Sequence, residues 1–373
     1  MTELQTLQAQ GPQPGERVVV AMSGGVDSSV AAALLHERGC EVIGITLSLW
    51  EDPDPCGPEG GCCTPEDILD ARRVCADIGI RHFLLNYRAP FQEEVIDPFV
   101  AAYQAGETPN PCVRCNNHLK FDLLVQRTRE IESPWLATGH YAQVLRDTEG
   151  TPRLFKGADT RKDQSYFLHG TPVDSLKMLC FPLGGMDKAE VRESAERLNV
   201  RTRAKPDSQD VCFIPGGDTE AFLRRQGGAA PPGDIVDESG KVLGSHQGVH
   251  GFTIGQRRGI GVAQGKPLYV KRIDAARRRL VVATADRLEV HELFATEWNW
   301  IRRPAEGEKL FARVRYRSSA TPVKSFSDSA AFSIQLGEPA SAVAAGQAVV
   351  LYGGERGREV LGGGTLTLPP DIS

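Results

Sequence analysis

Two cysteines two residues apart, Cys112 and Cys115, lie in the stretch TPNPCVRCNNHLKF, and a third, Cys212, lies in DSQDVCFIPGG. The reactive form of a cysteine is the thiolate, which serves as a nucleophile, a metal ligand or one half of a redox pair. A single C-x-x-C does not choose between metal ligands, a redox pair, catalytic thiols and two small apolar residues. Arg114 beside Cys115, with a helix expected to start at NNHLKF, predicts a dipole and a cation that favour the Cys115 thiolate. The glycines after Cys212 predict a mobile loop.

A second chemical signal is VVVAMSGGVDSS. A strand ends at Met22, Ser23-Gly24-Gly25 turns sharply, and Asp27-Ser28-Ser29 opens a helix. Glycines let backbone N–H groups approach an anion, and the helix N-terminus adds about half a positive charge. The Ser23, Ser28 and Ser29 hydroxyls add donors, and Asp27 is a candidate magnesium ligand. The string is neither a G-x-x-x-x-G-K-[ST] loop nor a G-x-G-x-x-G fingerprint.

The elements that must position these residues follow from periodicity. RVVVAM and EVIGITLSLW read as strands around the amphipathic helix DSSVAAALLHERGC. PEDILDARRVCADIGI puts Ile68, Ala71, Val74, Cys75 and Ile78 on one helical stripe; RHFLLNY follows as a strand, EEVIDPFVAAYQAG as a helix and PWLATGHYAQV as a strand broken at glycine. Strand–helix–strand repetition predicts an α/β fold with a doubly wound parallel sheet. After about Pro215 the pattern changes to a short helix, AFLRRQGG, and crowded turns. From about residue 290, KLFARVRYR, AAFSIQL and QAVVLYGG alternate as short strands, with Arg313, Arg315 and Arg317 opposite Ala312, Val314 and Tyr316. The expected organisation is a leader (1–15), an α/β domain (16–215), a small turn-rich central domain (216–290) and a C-terminal β-barrel-like domain (291–373).

Bulk properties narrow the class. The 373 residues are too many for one ordinary core. Net charge is −5, which argues against non-specific coating of nucleic acid but allows a local basic face. The polar start MTELQTLQAQGPQPGER lacks the apolar segment of a secretory signal, and no run is long enough to span a bilayer. A reducing cytoplasm is therefore expected, where nine cysteines argue for thiol chemistry or metal over structural disulfides.

The S-G-G-x-D-S string after a β run resembles the PP-loop of ATP pyrophosphatases, which adenylate a substrate and release pyrophosphate. With TPNPC--CN, ATGHY, KDQSYFL and VCFI in order, the chain from about Arg17 to LGGGT resembles the bacterial tRNA-specific 2-thiouridylase (MnmA) family. That resemblance implies ATP-dependent thiolation of the wobble uridine of tRNA. It implies a PP-loop domain followed by central and β-barrel domains that meet tRNA. Ala21, Met22, Ser23, Gly24, Gly25, Val26, Asp27 and Ser28, with Leu47 and Gly139, would bind ATP with Mg²⁺. Asn110, Pro111 and Cys112 would lie against the flipped base, and His140, Lys162, Asp163, Gln164, Arg315, Tyr316 and Gln347 would touch the tRNA. Cys115 would be the nucleophile and Cys212 the persulfide carrier, pairing as a Cys115–Cys212 disulfide during turnover. A sulfur-donor protein, a cysteine desulfurase or relay protein, and glutamate, glutamine and lysine tRNAs are the implied partners.

The same residues have plainer or rival readings. Many family members carry Asp at the position of Cys112, so Cys112, Cys115 and Cys212 could instead hold an iron–sulfur cluster with one open iron. An amidating PP-loop ligase or a non-catalytic tRNA-binding module would leave the cysteine motifs unexplained. Cys40, Cys75 and Cys180 read as core, His118 as a solvated helix residue, ARRRL at 276–280 as a basic patch or hairpin edge, and Trp298 and Trp300 as packing. Cys56, Cys62 and Cys63 form a thiol-rich loop for which zinc, shared with Cys112 and Cys115, is conceivable but matches no closed template.

Overall fold

The computed structural model describes residues 7, 11–50, 64–207, 211–228, 230–262, 265–329 and 332–369. In the first half the strands are β1 (Arg17–Ala21), β2 (Glu41–Ser48), β3 (Arg81–Asn86), β4 (Trp135–Ala137), β5 (Ala142–Arg146), β6 (Pro152–Lys156) and β7 (Leu179–Cys180). Five of them form one parallel sheet in the order β3-β2-β1-β4-β7. Val18, Val19 and Val20 of β1 are completely buried, as expected for a central parallel strand covered on both faces. Helices α1 (Val26–Glu37) and α2 (Pro65–Asp77) make the β1–β2 and β2–β3 crossovers. A reciprocal Thr64–Asp67 capping box starts α2. Chain order reverses between β2 and β4 on either side of β1, so the crevice of this doubly wound sheet opens at the C-terminal ends of β1 and β4.

PWLATGHYAQV is not one strand. It supplies β4 to the parallel sheet, breaks over Thr138–Tyr141, and resumes as β5 in a different sheet. Within the expected leader (1–15), Gly15 donates its N–H to Gly39 O at 2.8 Å, and the Cys40 thiol reaches Gln13 O at 3.6 Å.

The central part carries β8 (Gly233–Val236), β9 (Val242–His246), β10 (Tyr269–Asp274) and β11 (Arg279–Ala283), ordered β10-β11-β8-β9 around Ile235, Val270, Leu280 and Val282. ARRRL at 276–280 is the β10–β11 turn running into β11, with Arg277 paired to Asp274 at 3.1 Å. The C-terminal strands are β12 (Glu289–Trp300), β13 (Leu310–Arg313), β14 (Thr321–Asp328), β15 (Phe332–Ser341), β16 (Ala348–Gly353) and β17 (Glu359–Thr367). They run β12-β15-β14-β13-β16-β17, and β17 pairs back onto β12. That closure removes both sheet edges and makes a barrel. Trp298 stacks on Phe332 at 3.6 Å inside this region, so it is packing.

The barrel is not separate from the first half. Hairpin β5–β6 pairs with β17 through Phe155↔Glu359 and Leu154↔Val360. Arg153 and Glu359, both buried, form a two-pronged ion pair at 2.7 and 2.6 Å, which Arg302 joins. Among the described residues, no helix is long and apolar enough to cross a membrane.

Candidate active site

Where the sheet crevice opens, a cavity of about 1000 Å³ is lined by Ala21, Met22, Ser23, Gly25, Val26, Asp27 and Ser28 from the β1–α1 joint. The joint is tightened by its own hydroxyls. Ser28 Oγ accepts from Ser23 N at 3.1 Å, and Ser29 Oγ donates to Gly25 O at 2.7 Å. Gly24 has φ +75°, and a Cβ there would come within 2.1 Å of Asp67 O; only glycine can make this turn against α2. Gly139 closes the opposite side, where a Cβ would lie 2.7 Å from Ser28 N. Leu47 at the end of β2 adds an apolar wall. A glycine turn feeding a helix N-terminus, with Lys205 at its rim, is equipped to hold a polyphosphate.

Asp27 does not stand open for a metal. Its Oδ1 receives Tyr141 OH at 2.8 Å and Lys188 Nζ at 2.7 Å. Burial, followed by the Asp27 charge, pushes the Tyr141 phenol upward, so it stays a donor.

Across the cavity, Asn110, Pro111 and Cys112 open a helical run over residues 111–130, made of Pro111–Arg114, a π-helical stretch Cys115–Leu123 and Leu124–Glu130. Asn110 is the N-cap, accepting from Val113 N at 3.4 Å, and Pro111 is the first helical residue. The expected helix start at NNHLKF is therefore displaced. Cys112 occupies the N-terminal turn, whereas Cys115 lies a turn inside and is 7% exposed. Arg114 does not face it either, donating to Glu94 O at 2.7 Å. An Asn cap followed by proline was the legible signal for this start. The π-helical widening begins at Cys115, the kind of irregularity that concentrates at working sites.

Gln347, from the barrel, holds the turn in front of that helix. Its Nε2 donates to Thr108 O at 2.7 Å and Pro109 O at 3.4 Å, while Thr108 N donates to Ala345 O at 2.9 Å. His140 also lines the cavity; burial, then the neighbouring Lys120, hold its imidazole well below the usual range, so it is neutral. Lys162, Asp163, Gln164 and Tyr316 line it as well. Their side chains differ in availability. Asp163 is 3% exposed and accepts from Gly157 N and Ser165 N at 3.1 Å, so its carboxylate braces a loop. Gln164 Oε1 accepts from Tyr141 N at 2.9 Å.

Arg315 lies off the cavity lining and donates to Ile254 O at 2.7 Å, tying the central part to the barrel. The KLFARVRYR alternation stops at Arg313, whose Nε donates to Ser318 O at 2.9 Å and closes a turn over 314–318. Tyr316 in that turn lies against Phe167, ring centres 4.6 Å apart.

Cys212 is not on a free loop in its described part. It packs against the apolar cluster that contains Cys115, and the next residues, Phe213 and Ile214, are 1% and 2% exposed. Among the described residues no three His, Cys, Asp or Glu side chains are grouped to hold a metal ion. Of the three cysteines of the alternative cluster, Cys112 faces the cavity and Cys115 is in the core. Cys56, Cys62 and Cys63 lie outside the described residues. Sequence reading missed Lys205, Lys188 and Asp207, which join the loop only through tertiary ion pairs. A second cavity, about 500 Å³ beside β3, is walled by Phe83, Leu85, Ile131 and arginines and offers no nucleophile.

Comparison with known proteins agrees along the whole length. Residues 16–216 match the tRNA methyl transferase HUP domain, 220–284 the tRNA methyl transferase PRC-barrel domain and 290–366 the aminomethyltransferase beta-barrel domain. The tRNA-specific 2-thiouridylase MnmA of Geobacter metallireducens is 46% identical over 94% of this chain and 96% of its own. Its counterparts from Magnetococcus marinus and Heliobacterium modesticaldum are each 44% identical, over 94% and 96% of this chain and 98% and 94% of theirs. Among solved structures, NMN synthetase from Francisella tularensis aligns with a TM-score of 0.33 at 16% identity, over 57% of this chain and 73% of that one, too loosely to bear on the site.

Proposed function

The chain belongs to the tRNA-specific 2-thiouridylase family, and from that premise we propose that it thiolates C2 of the tRNA wobble uridine at the expense of ATP. The observation that carries this reading is one cavity lined by the glycine–serine phosphate loop, by the Asn110–Cys112 helix start and by Lys162. Ala21–Ser28, Leu47 and Gly139 bind ATP. Mg²⁺, which would help neutralise the departing pyrophosphate, would be held by Asp27 in exchange for the Lys188 ammonium. The uridine, splayed from the anticodon loop, enters between Asn110–Cys112 and His140, with Lys162, Gln164 and Tyr316 on the tRNA side.

The uridine C2 oxygen attacks the α-phosphorus, pyrophosphate leaves and the N3 proton is lost, making C2 electrophilic. The terminal sulfur of a Cys212 persulfide attacks C2, and AMP departs with the former C2 oxygen. The Cys115 thiolate then attacks the Cys212 sulfur and breaks the S–S bond. This leaves 2-thiouridine, which regains the N3 proton, and a Cys115–Cys212 disulfide. A thiol reductant supplies the two electrons that reopen the disulfide, and a sulfur-donor protein reloads Cys212 in the cytoplasm.

Nucleoside mass spectrometry on glutamate, glutamine and lysine tRNAs tests this. Wild type with Mg-ATP and a cysteine desulfurase supplied with L-cysteine, which delivers sulfur at the persulfide level, yields wobble 2-thiouridine. Cys115→Ala and Cys212→Ala yield none, although both still bind tRNA. Near wild-type product from either variant would sink the proposal in favour of chemistry that needs neither thiol, as in an amidating ligase.

A further inference from the structure

Asp207 opens the DSQDVCFIPGG stretch that carries Cys212, and it ties that stretch to two other motifs. One carboxylate oxygen receives Lys188 Nζ at 2.8 Å and Arg192 at 2.9 Å; the other receives Lys162 Nζ at 2.7 Å. The same Lys188 ammonium reaches Asp27 Oδ1 at 2.7 Å. Charges of alternating sign therefore run Asp27–Lys188–Asp207–Lys162, from the phosphate loop to the loop carrying Lys162. The middle of this chain is shielded from water, with side-chain exposures of 15% for Lys188 and 20% for Asp207. Burial raises the Asp207 carboxyl, but Lys162 and Lys188 outweigh it and draw it down to about 2, so the link is intact near neutral pH.

The segment holding Asp207 is fastened on both sides of Cys212. Upstream, Lys205 Nζ donates to Gly24 O at 3.1 Å and to Asp67 and Asp70 at 2.7 Å each. Downstream, the Phe213 ring meets Phe91, Phe99 and Phe222 edge-on or tilted, with centres 5.5, 5.3 and 5.1 Å away.

We propose that Asp207 is a positioning residue that couples nucleotide occupancy of the phosphate loop to the placement of Lys162 and the Cys212 segment. This rests on reading the chain as an ATP-dependent tRNA thiolase. A triphosphate brings several negative charges beside Asp27 and draws on the Lys188 ammonium. The Asp207 carboxylate then redistributes onto Lys162 and Arg192, and in a poorly hydrated setting such a shift is felt along the network. Sulfur is thus lined up only when ATP is present to activate the base.

Hydrogen exchange on the full chain, with and without a non-hydrolysable ATP analogue and with no tRNA, reads the coupling directly. In wild type the analogue slows exchange over 21–28 and also alters it over 159–167 and 211–214. Asp207→Asn keeps the first effect and loses the other two, and Asp207→Glu restores them in part. Remote changes in Asp207→Asn equal to wild type would overturn the proposal. Lys188→Met cuts the same chain at another link and must show the same loss, which keeps the test decisive if Asp207→Asn melts early. In turnover, assayed below the variant's melting temperature, Asp207→Asn releases about tenfold more AMP per 2-thiouridine than wild type; an unchanged ratio would count against the coupling. A wild type that responds in all three segments but makes no 2-thiouridine would contradict the functional reading and leave the coupling standing.

Discussion

A methyl group on Gly139 would sit 2.7 Å from the Ser28 amide nitrogen and 3.1 Å from the Asp27 Cβ, in the wall that closes the phosphate loop. Gly139→Ala is expected to weaken ATP binding by about tenfold or more, a shift of at least about 1.4 kcal/mol; calorimetry giving an unchanged Kd would remove Gly139 from the nucleotide site. Cys112 lines the cavity, while Cys115 is buried behind it. Cys112→Ser should therefore still produce 2-thiouridine, and its complete loss of product would favour a mechanism needing all three thiols. At this scale the sequence was most legible where function is written as contiguous strings. Ser23, Gly25–Ser28 and Gly139–Tyr141, from two such strings, line one crevice. Asp207, Lys188 and the buried state of Asp163 were not legible, because they depend on partners far away in the chain.

Among the elements, the parallel sheet and its helices could be anticipated from β-branched runs alternating with helical stripes, and the barrel from short alternating strands. Two features were hidden. Hairpin β5–β6 has the pattern of any half-buried strand pair, and nothing local says that it will add to β17. RVRYR alternates perfectly, yet the ladder stops when the Arg313 guanidinium bonds Ser318 O, a local competitor that periodicity does not reveal. The hairpin graft carries a measurable cost. Glu359→Gln removes the carboxylate that pairs with Arg153, 9% exposed in its side chain, and weakens the Arg302 link. Breaking a buried pair in this way costs about 3–5 kcal/mol, visible as a lowered urea midpoint. A midpoint equal to wild type would mean that strand pairing alone holds the hairpin on the barrel.

For the whole molecule, the cavity draws on both the sheet and the barrel, with Gln347 reaching across to the turn before Cys112. Stability should also depend on pH through buried histidines. His82, His140, His169, His246 and His250 are all held below their ordinary range chiefly by burial, His169 down to about 4. Each is neutral when folded, whereas the unfolded chain takes up a proton near pH 6.5. Their contribution is full above that pH and lost as pH falls toward the folded values. His169 alone accounts for about 2 kcal/mol between pH 7 and 5. Urea unfolding at the two pH values should show lower stability at pH 5, and equal stability would contradict neutral burial.

The central claim is that one cavity activates the uridine oxygen with ATP and replaces it with sulfur. The most direct test uses a synthetic anticodon stem-loop carrying ¹⁸O at C2 of the wobble uridine, incubated with enzyme, Mg-ATP and a cysteine desulfurase supplied with L-cysteine as the persulfide source. The account predicts one ¹⁸O in the phosphate of the released AMP for each 2-thiouridine formed. Thiolated product accompanied by unlabelled AMP would contradict it.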